Sequence, residues 1–208
     1  MRIICFSDSH GIVDKIDPQK ADIVICSGDF CNRGSLEDVI VFNRWFSCLP
    51  CKYKILVAGN HDVCFDLESA LARSLLDKNI IYLQDDGVEI DGIKFYGSPW
   101  QLLFMNWAFN LPENELCKKF ERIPEGVDIL ITHSPPYGIL DSVNDRKYLG
   151  SKSLLKRVQK VKPRDHIFGH IHDSYGKSVN TAIGTTSINC SLLDEKYNFV
   201  NKPVIIEV

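Results

Sequence analysis

Short runs rich in isoleucine and valine recur along this chain, and several end on a cluster of polar, metal-ligand-type side chains. Arg2–Ser7, Asp22–Ser27 and Tyr53–Ala58 read as buried β-strands, being short, β-branched and bounded by polar turns. Asp8-Ser9-His10, Asp29 and Asn60-His61-Asp62 follow them directly. Asp128–Thr132 leads in the same way into His133, and His166–Gly169 into His170-Ile171-His172. Five of the six histidines therefore stand at predicted strand exits. Alternating strand and helix patterns restrict such a chain to an α/β architecture, where ligands gather at the carboxyl ends of strands.

The helical segments complete that pattern. Ser35 is placed to cap a helix with Leu36, Val39, Ile40 and Phe46 at helical spacing, and Ser69–Lys78 repeats the pattern with Leu71, Leu75 and Leu76. Ile80–Leu83 reads as a strand, and Val88–Ile90 and Ile93–Tyr96 flank an Asp91-Gly92 hairpin turn. Ser151–Val161 predicts a helix, and Ser187–Cys190 and Pro203–Val208 predict closing strands. No repeat or linker interrupts the 208 residues, which predicts a single domain spanning 1–208 with helices outside the sheets.

Composition excludes some classes of function. A net charge of −3 offers no general attraction to nucleic acid or an acidic membrane. No stretch approaches a membrane span, and the start lacks a signal-peptide apolar region, so a cytoplasmic protein is expected. Eight cysteines are present, but Cys5 and Cys26 lie inside strand patterns and Cys48-Leu49-Pro50-Cys51 has no second CxxC, so reduced thiols are expected. Lys156-Arg157 and Lys160 through Arg164 match the solvated face of the Ser151–Val161 helix better than a nucleic-acid patch. The oligomeric state is not legible.

Asp8 and His10 are two residues apart, as are His170 and His172; in extended backbone such pairs point the same way and reach one ion. Gly28, Gly59 and Gly169 allow sharp turns or close approach beside them, and Pro135-Pro136 stiffens the loop that presents His133. Taken singly, Asp8-Ser9-His10 and Asn60-His61-Asp62 have ordinary readings as capping and Asx turns, and His133 as a satisfied core histidine. Independent turns have no reason to collect nearly every histidine at strand ends. Together the motifs supply two carboxylates, an asparagine and four or five imidazoles, the donor inventory of a two-metal hydrolytic centre.

The order Asp8-x-His10, Gly28-Asp29, Gly59-Asn60-His61-Asp62, His133, Gly169-His170-x-His172 resembles the calcineurin-like metallophosphoesterase superfamily. Gly97-Ser98-Pro99-Trp100-Gln101, Trp107-Ala108-Phe109-Asn110, Thr132-His133-Ser134-Pro135-Pro136 and Ile188-Asn189-Cys190-Ser191 are similar to the metallophosphoesterase-domain branch related to class III cyclic-nucleotide phosphodiesterases. The resemblance implies a four-layer α/β/β/α sandwich with two mixed β-sheets. It also implies that Asp8, His10 and His172 bind one metal, that Asn60, His133 and His170 bind a second, and that Asp29 bridges them. His61 would face the scissile phosphate off the metals, with Asp62 holding its ring. Some members of this branch carry glycine where His170 stands; this chain keeps the histidine, so a complete pair of metals is expected.

Two divalent cations close together hold a hydroxide at neutral pH, which attacks phosphorus in line. The mixed nitrogen and oxygen donors suit manganese first, with iron or zinc as alternatives. His61 is the natural proton donor to the leaving group. The expected partner is a small phosphorylated substrate, a phosphodiester, with cyclic nucleotides among the candidates. A phosphomonoesterase or protein phosphatase is the rival, and a binding scaffold of low activity a rival of another kind. Arg33 is a candidate for a substrate phosphate. Trp100, Phe104, Trp107 and Phe109 are candidates either for stacking a nucleobase or for core packing, with Tyr137 and Tyr148 behind them. His166, at the start of a strand, has a structural reading.

Overall fold

The computed structural model describes residues 1–17, 20–143 and 147–208. Its strands in chain order are β1 (Arg2–Phe6), β2 (Ile23–Cys26), β3 (Tyr53–Leu56), β4 (Ile80–Tyr82), β5 (Asp86–Ile90), β6 (Ile93–Ser98), β7 (Gln101–Leu102) and β8 (Asn110–Leu111). They continue as β9 (Ile129–Thr132), β10 (Ser142–Val143), β11 (Lys147–Tyr148), β12 (Asp165–Phe168), β13 (Gly176–Asn180), β14 (Thr185–Asn189) and β15 (Val204–Glu207). The helices are α1 (Leu36–Ser47), α2 (Cys64–Leu67), α3 (Ser69–Ser74), α4 (Glu113–Phe120) and α5 (Lys152–Val161).

Two mixed sheets carry the architecture. One runs β15-β1-β2-β3-β4, with β15 antiparallel to β1 and the others parallel. The second runs β13-β14-β12-β9-β6-β5, its four inner strands parallel and both edges antiparallel. Residues such as Ile3, Ile25 and Ile55 from the first sheet pack on Phe95, Ile131 and Ile167 from the second, forming one apolar slab between them. Helices α1 to α3 cover the outer face of the first sheet through Phe42, Phe46 and Phe65. Helices α4 and α5 cover the second through Leu116, Phe120, Leu154 and Val158. The result is the layered α/β/β/α sandwich.

Local chemistry explains where the helices begin. Ser35 caps α1 through a capping box in which its hydroxyl accepts from Asp38 N and the Asp38 carboxylate accepts from Ser35 N. Ser151 caps α5 by accepting from Leu154 N. The hairpin also forms as its sequence demands: Asp91 and Gly92 have φ of 51° and 82°, the paired positive values of a type I′ turn.

Two helical expectations change. Ile40 is exposed on α1, and Phe42 takes the core position instead. The helix expected over Ser69–Lys78 is shorter, ending at Ser74 with Leu75 as its cap, and Glu68 (φ −126°) breaks it from α2. Leu71 turns to solvent while Ala72 is buried in the apolar cluster outside the first sheet.

Candidate metal centre

The carboxyl ends of β1, β2, β3, β9 and β12 converge, and backbone hydrogen bonds lock their exit loops together. Asp8 N donates to Gly28 O at 3.0 Å, His10 N to Asp29 O at 2.9 Å, and Gly169 N to His133 O at 3.0 Å. Ser7 N donates to Cys190 O at 2.9 Å, which joins the end of β1 to the segment leaving β14 in the other sheet. Gly28 and Gly169 have little room to be anything else. A methyl group on Gly28 (φ 110°) would run into His133 Nδ1, and one on Gly169 would run into the Asp8 carboxylate.

Asp8 and His10 do not share an extended strand, as their spacing had suggested. Asp8, His10, Asp29 and His170 have φ of 55°, 43°, 52° and 69°, the left-handed region that non-glycine residues avoid. His172 opens a short 3-10 turn, His172–Ser174. The side chains meet because the loops turn back on themselves. Each left-handed residue costs roughly 1–3 kcal/mol. Burial of the rings at Phe6, Phe30, Phe42, Phe46 and Phe65 contributes to the apolar stabilisation that holds this strain in place.

Among the described residues three groups of donor atoms result, the atoms of each lying within 4.8 Å of one another: Asp8, His10 and His172; His10, Asp29 and His61; and Asp29, His133 and His170. His172 Nε2 lies 3.5 Å from Asp8 Oδ1. Asp29 Oδ2 lies between the clusters, 3.8 Å from His10 Nε2 and 3.4 Å from His133 Nε2. Asn60 Oδ1 is 2.9 Å from His133 Nε2, which adds the amide oxygen to the third group. The tautomers follow from carbonyl partners that can only accept. His133 Nδ1 donates to Ser27 O at 3.0 Å and His172 Nδ1 to Asp194 O at 3.0 Å, so both turn Nε2 toward the carboxylates. Neither ring nitrogen of His10 has a hydrogen-bond partner among the described residues although both are buried. Orphaned imidazole nitrogens beside two carboxylates and an amide oxygen are a donor set that fits divalent cations.

The electrostatics show how far these groups constrain one another. Burial opposes ionisation of Asp8, but the hydrogen bond and charge of His172 more than reverse this and hold its carboxyl well below the usual range. Asp29 is likewise buried and is held low chiefly by His133. Burial alone would depress His133 and His172, yet Asp29 raises the first and Asp8 the second, each to about 9. His10 and His170 are governed by desolvation and fall to about 4 and about 3.

Asp62 takes a different place from the one expected. Its carboxylate accepts from Gly59 N at 2.7 Å, Cys31 N at 2.8 Å and Asp29 N at 2.9 Å, so it ties the two ligand-bearing loops together. Burial and the Asp29 charge raise its pKa to about 7. The His61 ring is held instead by Asn32, whose carbonyl oxygen lies 2.9 Å from Nδ1, while His61 N donates to Asp29 Oδ1 at 2.7 Å. A short carboxylate drawn into a nest of backbone N–H groups cannot also reach that ring. Ser191 Oγ completes the surroundings of Asp8, donating to Oδ2 at 2.7 Å.

His10, Asp29, Asn60, His61, His170 and His172 form the floor of an open cleft of about 290 Å³. Phe104, Met105 and Trp107 line one side, and Glu195 and Tyr197 line the other. The four aromatic candidates therefore divide. Phe109 is fully buried and Trp100 packs against it, its Nε1 donating to Asp85 at 2.8 Å, whereas Phe104 and Trp107 reach the cleft. Tyr137 and Tyr148 pack on each other, ring centroids 5.8 Å apart, and neither lines it. Arg33 is exposed and does not line the cleft; its backbone N–H donates to Asp38 in the network that starts α1. His166 is buried, its Nε2 2.9 Å from Thr132 Oγ1. Asn32, Asp194, Glu195 and Tyr197 were not singled out by motif. Two of these act through backbone carbonyls, which leave no mark on residue type, and the other two sit on the surface turn that follows Asp194.

The profile of the calcineurin-like phosphoesterase family matches residues 1–174. The chain belongs to the calcineurin-like phosphoesterase family. As a member it is a metal-dependent phosphoester hydrolase. It is 42% identical to human metallophosphoesterase domain-containing protein 1, over all of this chain and 71% of that protein. It is also 35% identical to a UPF0046 protein of Caenorhabditis elegans, over all of this chain and 81% of the relative. Among solved structures, TT1561 of Thermus thermophilus shares the fold at a TM-score of 0.67 and 12% identity, covering 90% of this chain and 88% of that one. Among the described residues, no helix is long and apolar enough to cross a membrane.

Proposed function

We propose that this family member hydrolyses phosphodiesters at a two-metal centre. Asp8, His10 and His172 would hold one ion, Asn60, His133 and His170 the other, and Asp29 would serve both. Manganese is the preferred ion, with iron or zinc as alternatives, because the donors are nitrogen and oxygen without thiolate. Such a pair supplies Lewis acidity and an ionised water nucleophile at neutral pH.

The protein's own groups do the rest. Asp8 and Asp29 stay ionised to bind cations. Nδ1 donation from His133 and His172 to carbonyls keeps both rings oriented. His61, its Nδ1 fixed by Asn32, carries Nε2 toward the cleft as proton donor to the departing oxygen. Asp62 serves by fixing the loops rather than the His61 ring.

One observation carries the diester preference. Among the described residues lining the cleft there is no lysine or arginine, and a carboxylate, Glu195, is present besides that of Asp29. A phosphomonoester carries a charge of about −1.5 to −2 at neutral pH and gains from a cation beyond the metals. A diester carries a single negative charge and does not require one. The aromatic and thioether side chains at Phe104, Met105, Trp107 and Tyr197 favour a flat, partly apolar organic group, with cyclic nucleotides among the candidates. An aryl monoester and the matching aryl diester, assayed side by side with Mn²⁺, test the reading. Higher kcat/KM on the diester is expected, and faster turnover of the monoester would overturn it.

A further inference from the structure

The loop between β7 and β8 is sewn onto the turn that carries His61. Ala108 N donates to Asn60 O at 3.2 Å, and Phe109 N to Asp66 Oδ2 at 3.0 Å. The Phe109 side chain is fully buried beneath them, and the pairing of Gln101 with Asn110 closes the loop. These contacts set the height of Trp107. Its indole lies face to face with the His61 imidazole, ring centroids 4.0 Å apart and planes 23° from parallel. On another side the His10 ring meets His61 nearly at right angles, at 4.5 Å.

Core packing does not account for this placement. Trp100, Ala108 and Phe109 belong to the apolar cluster under the first sheet, whereas Trp107 belongs to none of the three clusters. It lines the cleft. The hydrogen bond at Nδ1 orients the His61 ring, but a single contact at one edge still leaves the ring some swing about its side-chain bonds. A swing of the ring carries Nε2 with it, and a proton donor works only within roughly 2.6–3.2 Å of its acceptor. A flat indole against the imidazole face blocks the swing.

We propose that Trp107 is a positioning residue for His61, holding the imidazole plane so that Nε2 points at the leaving oxygen; this rests on the reading of His61 as proton donor. A donor matters most when the leaving group is poor. Methyl phenyl phosphate and methyl 4-nitrophenyl phosphate differ in the leaving group and not in charge, so they separate proton delivery from binding. Trp107→Leu keeps bulk without a ring to stack, and Trp107→Phe restores a ring.

With Mn²⁺ as the metal, Trp107→Leu is expected to lower kcat on the phenyl ester by roughly 10–100-fold and on the nitrophenyl ester by less than about 3-fold. KM should hardly move, and Trp107→Phe should recover most of the loss. Retained nitrophenyl turnover itself shows that the variant is folded and metal-loaded. An equal loss on both esters, a loss confined to KM, or no recovery with phenylalanine overturns the proposal. His61→Ala is the control: if it shows no dependence on the leaving group, the proton-donor reading of His61 fails. If His61→Ala shows that dependence and Trp107→Leu does not, only the role of Trp107 fails.

Discussion

Ile25 and Asp29 are four residues apart, on one strand and the loop that leaves it, and their surroundings have little in common. Ile25 is fully buried in the slab between the sheets among other β-branched side chains. Asp29 is nearly as buried, but in a left-handed conformation and among imidazoles. The slab stabilises the fold through apolar area, a quantity that changes gradually with each methyl group. The strand ends consume part of that stability to hold strained backbone and partly orphaned polar atoms in one place. Substitutions in the two regions should therefore be separable, with slab changes affecting stability and strand-end changes affecting metal and turnover.

The largest effect is expected at Asp29, the carboxylate between the clusters. Asp29→Asn should lower metal content at both sites and reduce kcat/KM by about 10³-fold or more, since the metals contribute several kcal/mol to the transition state. Metal analysis showing full loading would contradict its bridging place. His61→Ala should reduce turnover of poor leaving groups by roughly 10²–10⁴-fold with metal content unchanged. Survival of that activity would remove His61 from the chemistry.

Smaller effects belong to the sheets themselves, away from the strand ends. His166 is fully buried next to Thr132, and desolvation pushes its pKa down to about 3. The unfolded chain takes up a proton near its ordinary value of about 6.5, which the folded protein refuses. This contribution to stability is therefore fully present above that value and is lost as the pH falls from it toward about 3. The slope is about 1.4 kcal/mol per pH unit at most, or about 2 kcal/mol by pH 5. Urea unfolding of the wild type and of His166→Gln at several pH values measures it; parallel pH profiles would show that His166 contributes nothing. Smallest of all, Ile167→Val should cost about 0.5–1.5 kcal/mol by the same method while leaving metal content and kcat intact. A clear loss of metal in that variant would show that the two regions are coupled after all.

Much of the fold was legible because periodicity and turn chemistry are local. The strands ending before Asp8, Asp29, Asn60, His133 and His170, the Ser35 and Ser151 caps and the Asp91-Gly92 turn all follow from residue type and spacing. Helix α4 was not read in advance, because only Leu116 and Phe120 mark its buried face among charged neighbours. Strand β13 was missed because its small and polar residues alternate at a sheet edge, with Val179 exposed. At the site, the set of residues was legible but the reason for their convergence was not. Parity along an extended strand suggested that Asp8 and His10 point the same way, whereas left-handed turns bring them together.

The sequence by itself determined which side chains could meet, because alternating apolar runs and polar exits commit the chain to parallel strands that open at one end. Only the tertiary structure decided how those side chains are held. Asp62 ties loops through backbone N–H groups, Asn32 and Asp194 fix histidines through their carbonyl oxygens, and Trp107 is laid on His61 from 46 positions away. Backbone partners carry no residue signature, and a stacked ring is recognisable only once the loop that delivers it has been folded against its target.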